Sequence, residues 1–63
     1  MNLGKRIKKA REAMGISELE LASKAKVKEQ TIRRYESNQG KPKYLTLLGL
    51  GLLLETDLTD STV

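Results

Sequence analysis

Apolar residues return every three or four positions at the start of the chain: Leu3, Ile7, Ala10 and Met14. Lys5, Arg6, Lys8, Lys9, Arg11 and Glu12 fill the gaps. That period predicts an amphipathic helix with an inner apolar stripe and a charged outer face. Asn2 stands where a side-chain oxygen can cap the first turn. Gly15 follows the last apolar position, where a left-handed helix end favours a residue without Cβ. A second helix opens at Ser17, which has the capping-box spacing to Glu20, with Ile16 and Leu21 placed as a hydrophobic staple. Leu21, Ala22 and Ala25 form its inner face, and Lys26-Val27-Lys28 breaks the pattern, so this helix is short.

A third helix is predicted from about Lys28 to Ser37. Val27, Ile32 and Tyr35 point inward, and Glu29, Gln30, Thr31, Arg33 and Arg34 lie largely outside. Ser37-Asn38-Gln39-Gly40-Lys41-Pro42 reads as a loop, because Asn, Gly and Pro each favour turn geometry. Then Leu45, Leu47, Leu48, Leu50, Leu52, Leu53 and Leu54 crowd a segment interrupted by Gly49 and Gly51. Leucine favours helix, while each interior glycine costs about 1 kcal/mol relative to alanine. The Leu-Gly-Leu-Gly-Leu alternation also fits a strand, although valine and isoleucine are absent from it. We read the segment as a core helix. Thr56 is placed to cap a final short turn through Asp57 and Leu58, and Thr59 to Val63 reads as a frayed end. The expected fold is all-α: a compact bundle of about five short helices, in one domain spanning 1–63, without repeats or linkers.

Composition narrows the chemistry. At 63 residues the chain is near the lower size limit for a self-sufficient hydrophobic core. It has no cysteine and no histidine, which excludes disulfides, Cys/His zinc sites and Cys or His catalysis. The start lacks a signal-peptide apolar stretch, and the leucine run is far shorter than the roughly 20 residues that span a bilayer, so the expected compartment is a reducing cytoplasm. No membrane role is expected either, since the leucine run carries no basic residues to complement anionic lipid.

Charge is distributed unevenly. All 12 Lys and Arg fall between Lys5 and Lys43, against five acidic residues there, while Tyr44 to Val63 holds three acidic residues and no basic one. The front is therefore +7 and the rear −3. That polarity fits a protein that turns one side towards a polyanion, and it equally fits an ordinary solvated surface.

Two short helices with a tight turn, preceded by a basic helix, suggest a helix-turn-helix unit. Several stretches resemble the lambda- and 434-type phage repressors and Cro proteins. They are Arg6-Ile7-Lys8-Lys9-Ala10-Arg11, Gly15-Ile16-Ser17 with Glu20-Leu21-Ala22, Val27-Lys28-Glu29-Gln30-Thr31-Ile32, Tyr35-Glu36 and Lys41-Pro42-Lys43-Tyr44-Leu45. The resemblance runs from Leu3 to about Leu58 and rests on the order and spacing of these pieces. It implies a repressor domain whose helix from Lys28 enters the major groove of double-stranded DNA, as a weak homodimer on DNA. Glu29, Gln30, Thr31 and Arg34 would then face bases. Gln30 suits an adenine edge, Arg34 a guanine or a phosphate, Thr31 a thymine methyl and Glu29 a cytosine amino group. Arg33, Lys41 and Lys43 would meet phosphates. Glu18 stands where the family commonly touches a phosphate with glutamine. Arg11 and Glu36 match a structural ion pair of the 434-type members.

Several positions depart from the pattern in one direction. The Glu18 carboxylate repels a phosphate. Glu18, Glu20 and Glu29 all lie at helix N-termini, where negative charge stabilises the helix by about 0.3–1 kcal/mol. Lys26 replaces the usual glycine of the turn, and Thr59 and Asp60 replace an apolar pair. A second reading therefore stands beside the first: a redesigned sequence on a 434-type scaffold, selected for fold stability without specific DNA binding. Catalysis is not expected, since no phosphate-binding glycine loop appears and the carboxylates are scattered among lysines. No cofactor, metal or small-molecule substrate is expected.

Overall fold

A computed structural model describes residues 2–56 and 58. Four α-helices appear among them: α1 (Leu3–Ala13), α2 (Glu18–Ala25), α3 (Glu29–Glu36) and α4 (Tyr44–Leu53). The expected number was about five. The proposed turn through Asp57 and the frayed end from Thr59 lie largely outside the described residues, and Leu58 is not helical.

The helix starts follow the local chemistry. Asn2 takes an extended backbone and its Oδ1 accepts from the Lys5 backbone N–H at 2.8 Å. Ser17 does the same for α2, with Oγ accepting from the Glu20 N–H at 3.0 Å. Lys28 and Lys43 precede α3 and α4 without a side-chain cap hydrogen bond.

All four helices end in the same way. After each, one residue turns left-handed: Gly15 (φ 71°), Lys26 (φ 59°), Asn38 (φ 61°) and Glu55 (φ 54°). The following N–H then reaches back five residues: Ile16 to Arg11, Val27 to Ala22, Gln39 to Arg34 and Thr56 to Gly51. This Schellman arrangement satisfies carbonyls that the helix itself leaves open. Glycine adopts it freely and asparagine readily, whereas Lys26 and Glu55 carry a Cβ into a region that costs roughly 1–2 kcal/mol. The early stop also corrects one expectation. Met14 is the C-cap of α1 and is 38% exposed, since the chain leaves the helix before that side chain can turn inward.

The core is one cluster: Ile7 from α1, Leu21 and Ala22 from α2, Ile32 from α3, Leu47, Leu50 and Leu54 from α4 and its cap, and Leu58. Leu3, Ala10, Ile16, Ala25, Val27 and Tyr35 pack against it. Gly4 is buried where α1 meets the end of α3. A Cβ there would collide with the Glu36 carbonyl and come within 2.8 Å of the Tyr35 carbonyl oxygen. The same contact lets the Gly4 N–H donate to Asn38 Oδ1 at 3.1 Å, closing the bundle across 34 positions of sequence.

The leucine run is helical, and only part of it is core. Leu47, Leu50 and Gly51 are buried, while Leu45 and Leu52 are 80% and 81% exposed. Its two glycines have opposite surroundings. A Cβ on Gly49 would meet nothing within 4 Å, whereas one on Gly51 would lie 2.7 Å from the Thr56 carbonyl oxygen. Gly49→Ala is therefore expected to raise stability by about 1 kcal/mol through helix propensity. Gly51→Ala is expected to lower it by at least that much, through displacement of the turn that follows α4. Urea midpoints of the two variants, moving in opposite directions, check this.

Candidate nucleic-acid interface

The α2–α3 pair and the three-residue step between them set the geometry of the site. Lys26 turns left-handed and Val27 tucks against the core, so α3 starts anew at Glu29 with Ile32 fully buried beneath it. At about 100° per residue, Gln30 and Arg34 fall on the side of α3 opposite Ile32, one turn apart. Both are exposed, and Thr31 is half-buried at the flank. Lys41 and Lys43 are exposed on the loop before α4.

Arg33 has a different setting. Its Nη2 donates to Glu29 Oε2 at 3.1 Å, one turn back on the same helix, and its Nε lies 3.5 Å from Glu18 Oε1 on α2. Two carboxylates thus converge on one guanidinium, at the side of α3 that faces the start of α2. A phosphate approaching Arg33 must displace them or meet their charge. Glu29 is correspondingly engaged with Arg33 as well as standing near the solvent face. A polar cleft lined by Lys8, Arg11, Glu18, Arg33, Glu36 and Ser37 runs beside this cluster.

Below it, Arg11 and Glu36 form an inner pair. Arg11 Nε donates to Glu36 Oε2 at 2.7 Å, Nη2 donates to Oε1 at 3.3 Å, and Nη1 donates to the Ile16 carbonyl at 2.8 Å. The side chains are 10% and 6% exposed. The hydrogen bond with Glu36 raises the Arg11 pKa above its ordinary value. Burial opposes the rise, and the negative charges of Glu36, Glu18 and Glu12 add to it. The pair ties α1 to the end of α3, and the Ile16 bond ties both to the approach of α2. It thereby fixes the tilt of the helix that carries Gln30 and Arg34.

Sequence reasoning singled out the outer residues of α3 individually and missed their coupling to α2. The Glu18–Arg33 contact spans fifteen positions, and only the crossing of α2 over α3 brings it about. The α3 half was readable, because Glu29 and Arg33 stand at i and i+4. The sequence places Lys8 only on the outer face of α1 and Asn38 only in a turn, with no sign of the cleft or of the Gly4 contact.

Among the described residues, no group of three acidic, Cys or His residues could hold a metal. None of their helices is long and apolar enough to cross a membrane. No curated protein and no solved structure matches the chain. A helix-turn-helix family model matches residues 7–60, which takes in most of α1 and all of α2, the turn, α3 and α4. With its two short helices, left-handed turn and exposed third-helix face inside that span, the chain belongs to the helix-turn-helix family of DNA-binding domains.

Proposed function

We propose that the chain is a single repressor domain of the 434/Cro type, with α3 seated in the major groove of double-stranded DNA. The observation that carries this reading is the exposure of Gln30 and Arg34 on the face opposite the buried Ile32. Gln30 can offer its amide to an adenine edge in bidentate fashion, and Arg34 can reach guanine or a phosphate one turn on. Thr31 offers a methyl group, Glu29 an acceptor for a cytosine amino group. Lys41, Lys43 and, once released from its carboxylates, Arg33 hold phosphates and set the register. Two copies on adjacent half-sites would place two such helices about one DNA turn apart.

Fluorescence anisotropy against a 434-type operator and a random duplex, from 50 to 200 mM salt, tests the proposal. A site-specific complex should exceed random binding by about 10³-fold or more. Gln30→Ala should then cost about 1–3 kcal/mol on the operator and leave binding to random duplex unchanged. Equal, weak and steeply salt-dependent binding to both duplexes would overturn the repressor reading.

One observation favours the second reading, a scaffold selected for stability. Glu18 and Glu29 both sit in first turns and both grip Arg33, so they serve the helices while lowering the positive charge of the candidate DNA face.

A further inference from the structure

The outward side of α4 carries an apolar seam that the DNA reading leaves unused. Leu45, Leu48 and Leu52 are 80%, 36% and 81% exposed. They follow a three-then-four spacing, which on a helix aligns them in a stripe about 60° wide, opposite Leu47, Leu50 and Leu54. A narrow stripe with that spacing is the geometry by which one helix packs its knobs into the holes of another. Gly49 flanks the stripe with open space where a Cβ would be, so a second backbone can come close. A shallow groove of about 510 Å³, lined by Leu47, Leu48, Gly51, Leu52 and Leu58 among others, lies along its other side and can receive a leucine.

Charge around the seam indicates what covers it. Helix α4 has no charged residue, Lys41 and Lys43 precede it, and Glu55 follows it. Two copies laid antiparallel across a two-fold axis set the basic N-terminal end of each α4 beside the Glu55 end of the other and oppose the helix dipoles. A parallel arrangement would instead set like charges together. We propose that this chain self-associates in the absence of DNA through an antiparallel α4–α4 contact built on Leu45, Leu48 and Leu52. The seam is self-complementary, as a two-fold interface requires. Three leucines per copy bury far less than the roughly 800 Å² per partner of a stable complex, so the dimer is weak, with Kd on the order of 100 µM. This inference stands apart from the DNA reading: either can fail while the other holds.

Sedimentation equilibrium of the DNA-free chain from about 10 µM to 1 mM is the test. A monomer–dimer equilibrium is expected, and Leu45→Glu/Leu52→Glu, altering two exposed side chains, should stay monomeric throughout with unchanged helicity. Glu55→Lys should weaken the dimer several-fold at low salt, and adding Lys41→Glu/Lys43→Glu should restore it. Amide shifts of the unsubstituted chain on dilution supply a readout that needs no variant, and they should move along residues 45–52. A chain monomeric at 1 mM, open-ended aggregation, a dimer indifferent to the leucine substitutions, or shifts confined to α1–α3 would each overturn the proposal.

Discussion

Glu36→Gln is expected to remove about 3–5 kcal/mol of stability, enough to unfold much of the population at room temperature in a domain this small. The cause is desolvation. Arg11 lies 10% exposed against a carboxylate that takes two of its N–H groups, and the amide keeps the shape while removing the charge. The guanidinium is then left buried, still charged, with only the Ile16 carbonyl as a full partner. Lysine at position 11 should also fail, since its ammonium cannot span both Glu36 oxygens and the Ile16 carbonyl in one plane. Removing both charges is a different experiment. Arg11→Met/Glu36→Leu leaves no unpaired charge, only the Ile16 carbonyl without its donor, and its urea midpoint should lie above that of either single variant. A double variant less stable than Glu36→Gln would show that the pair contributes far more than it costs to bury. Because the raised pKa belongs to a base, the Arg11 contribution is complete at every pH below the ordinary arginine range and is lost only above it.

The ends of the helices and the interior of the bundle were legible to different degrees, for physical reasons. Capping is a local transaction, so Asn2, Ser17 and Gly15 announced their roles within four residues of sequence. Lys26 announced its left-handed turn only through the family resemblance, and Glu55 gave no signal at all. A charged residue accepts the left-handed region when the surrounding contacts over-determine the turn, and those contacts are tertiary. Orientation of α4 was unreadable for the opposite reason. A segment that is leucine at seven of ten positions from 45 to 54 has no polar face to phase it. Which leucines go inside is decided by the docking of α4 on α2 and by Gly51 against the Thr56 carbonyl. The exposed face of α3 could be phased, because Ile32 and Tyr35 stand one turn apart with Arg33 and Arg34 between them. Its electrostatics could not, because the sequence gives no measure of how closely Glu18 approaches Arg33.

That approach makes a second large effect testable. Glu18→Gln/Glu29→Gln should tighten binding to random duplex by about 10–100-fold at 50 mM salt, because it removes two negative charges from the side of α3 that we propose meets phosphates and releases Arg33. If Arg33 then neutralises one further phosphate, the slope of log K against log salt should steepen by about 0.9. Stability should move the other way. Two first-turn carboxylates are lost at about 0.3–1 kcal/mol each, and the pairs with Arg33, which is 60% exposed, add little. Opposite signs separate this account from a general effect of net charge. Glu20→Gln also removes a first-turn carboxylate from α2, and in that position it should lower stability without steepening the salt slope. If the Glu18/Glu29 variant bound DNA no better than the parent, the carboxylates would not be what restrains Arg33, and α3 would approach DNA by another face or not at all. If the slope steepened while random and operator duplexes stayed equal, Arg33 would be a phosphate contact on a scaffold without base readout. The two readings of this chain thus divide on one pair of titrations, in which the slope tests Glu18 and Glu29 and the preference tests Gln30.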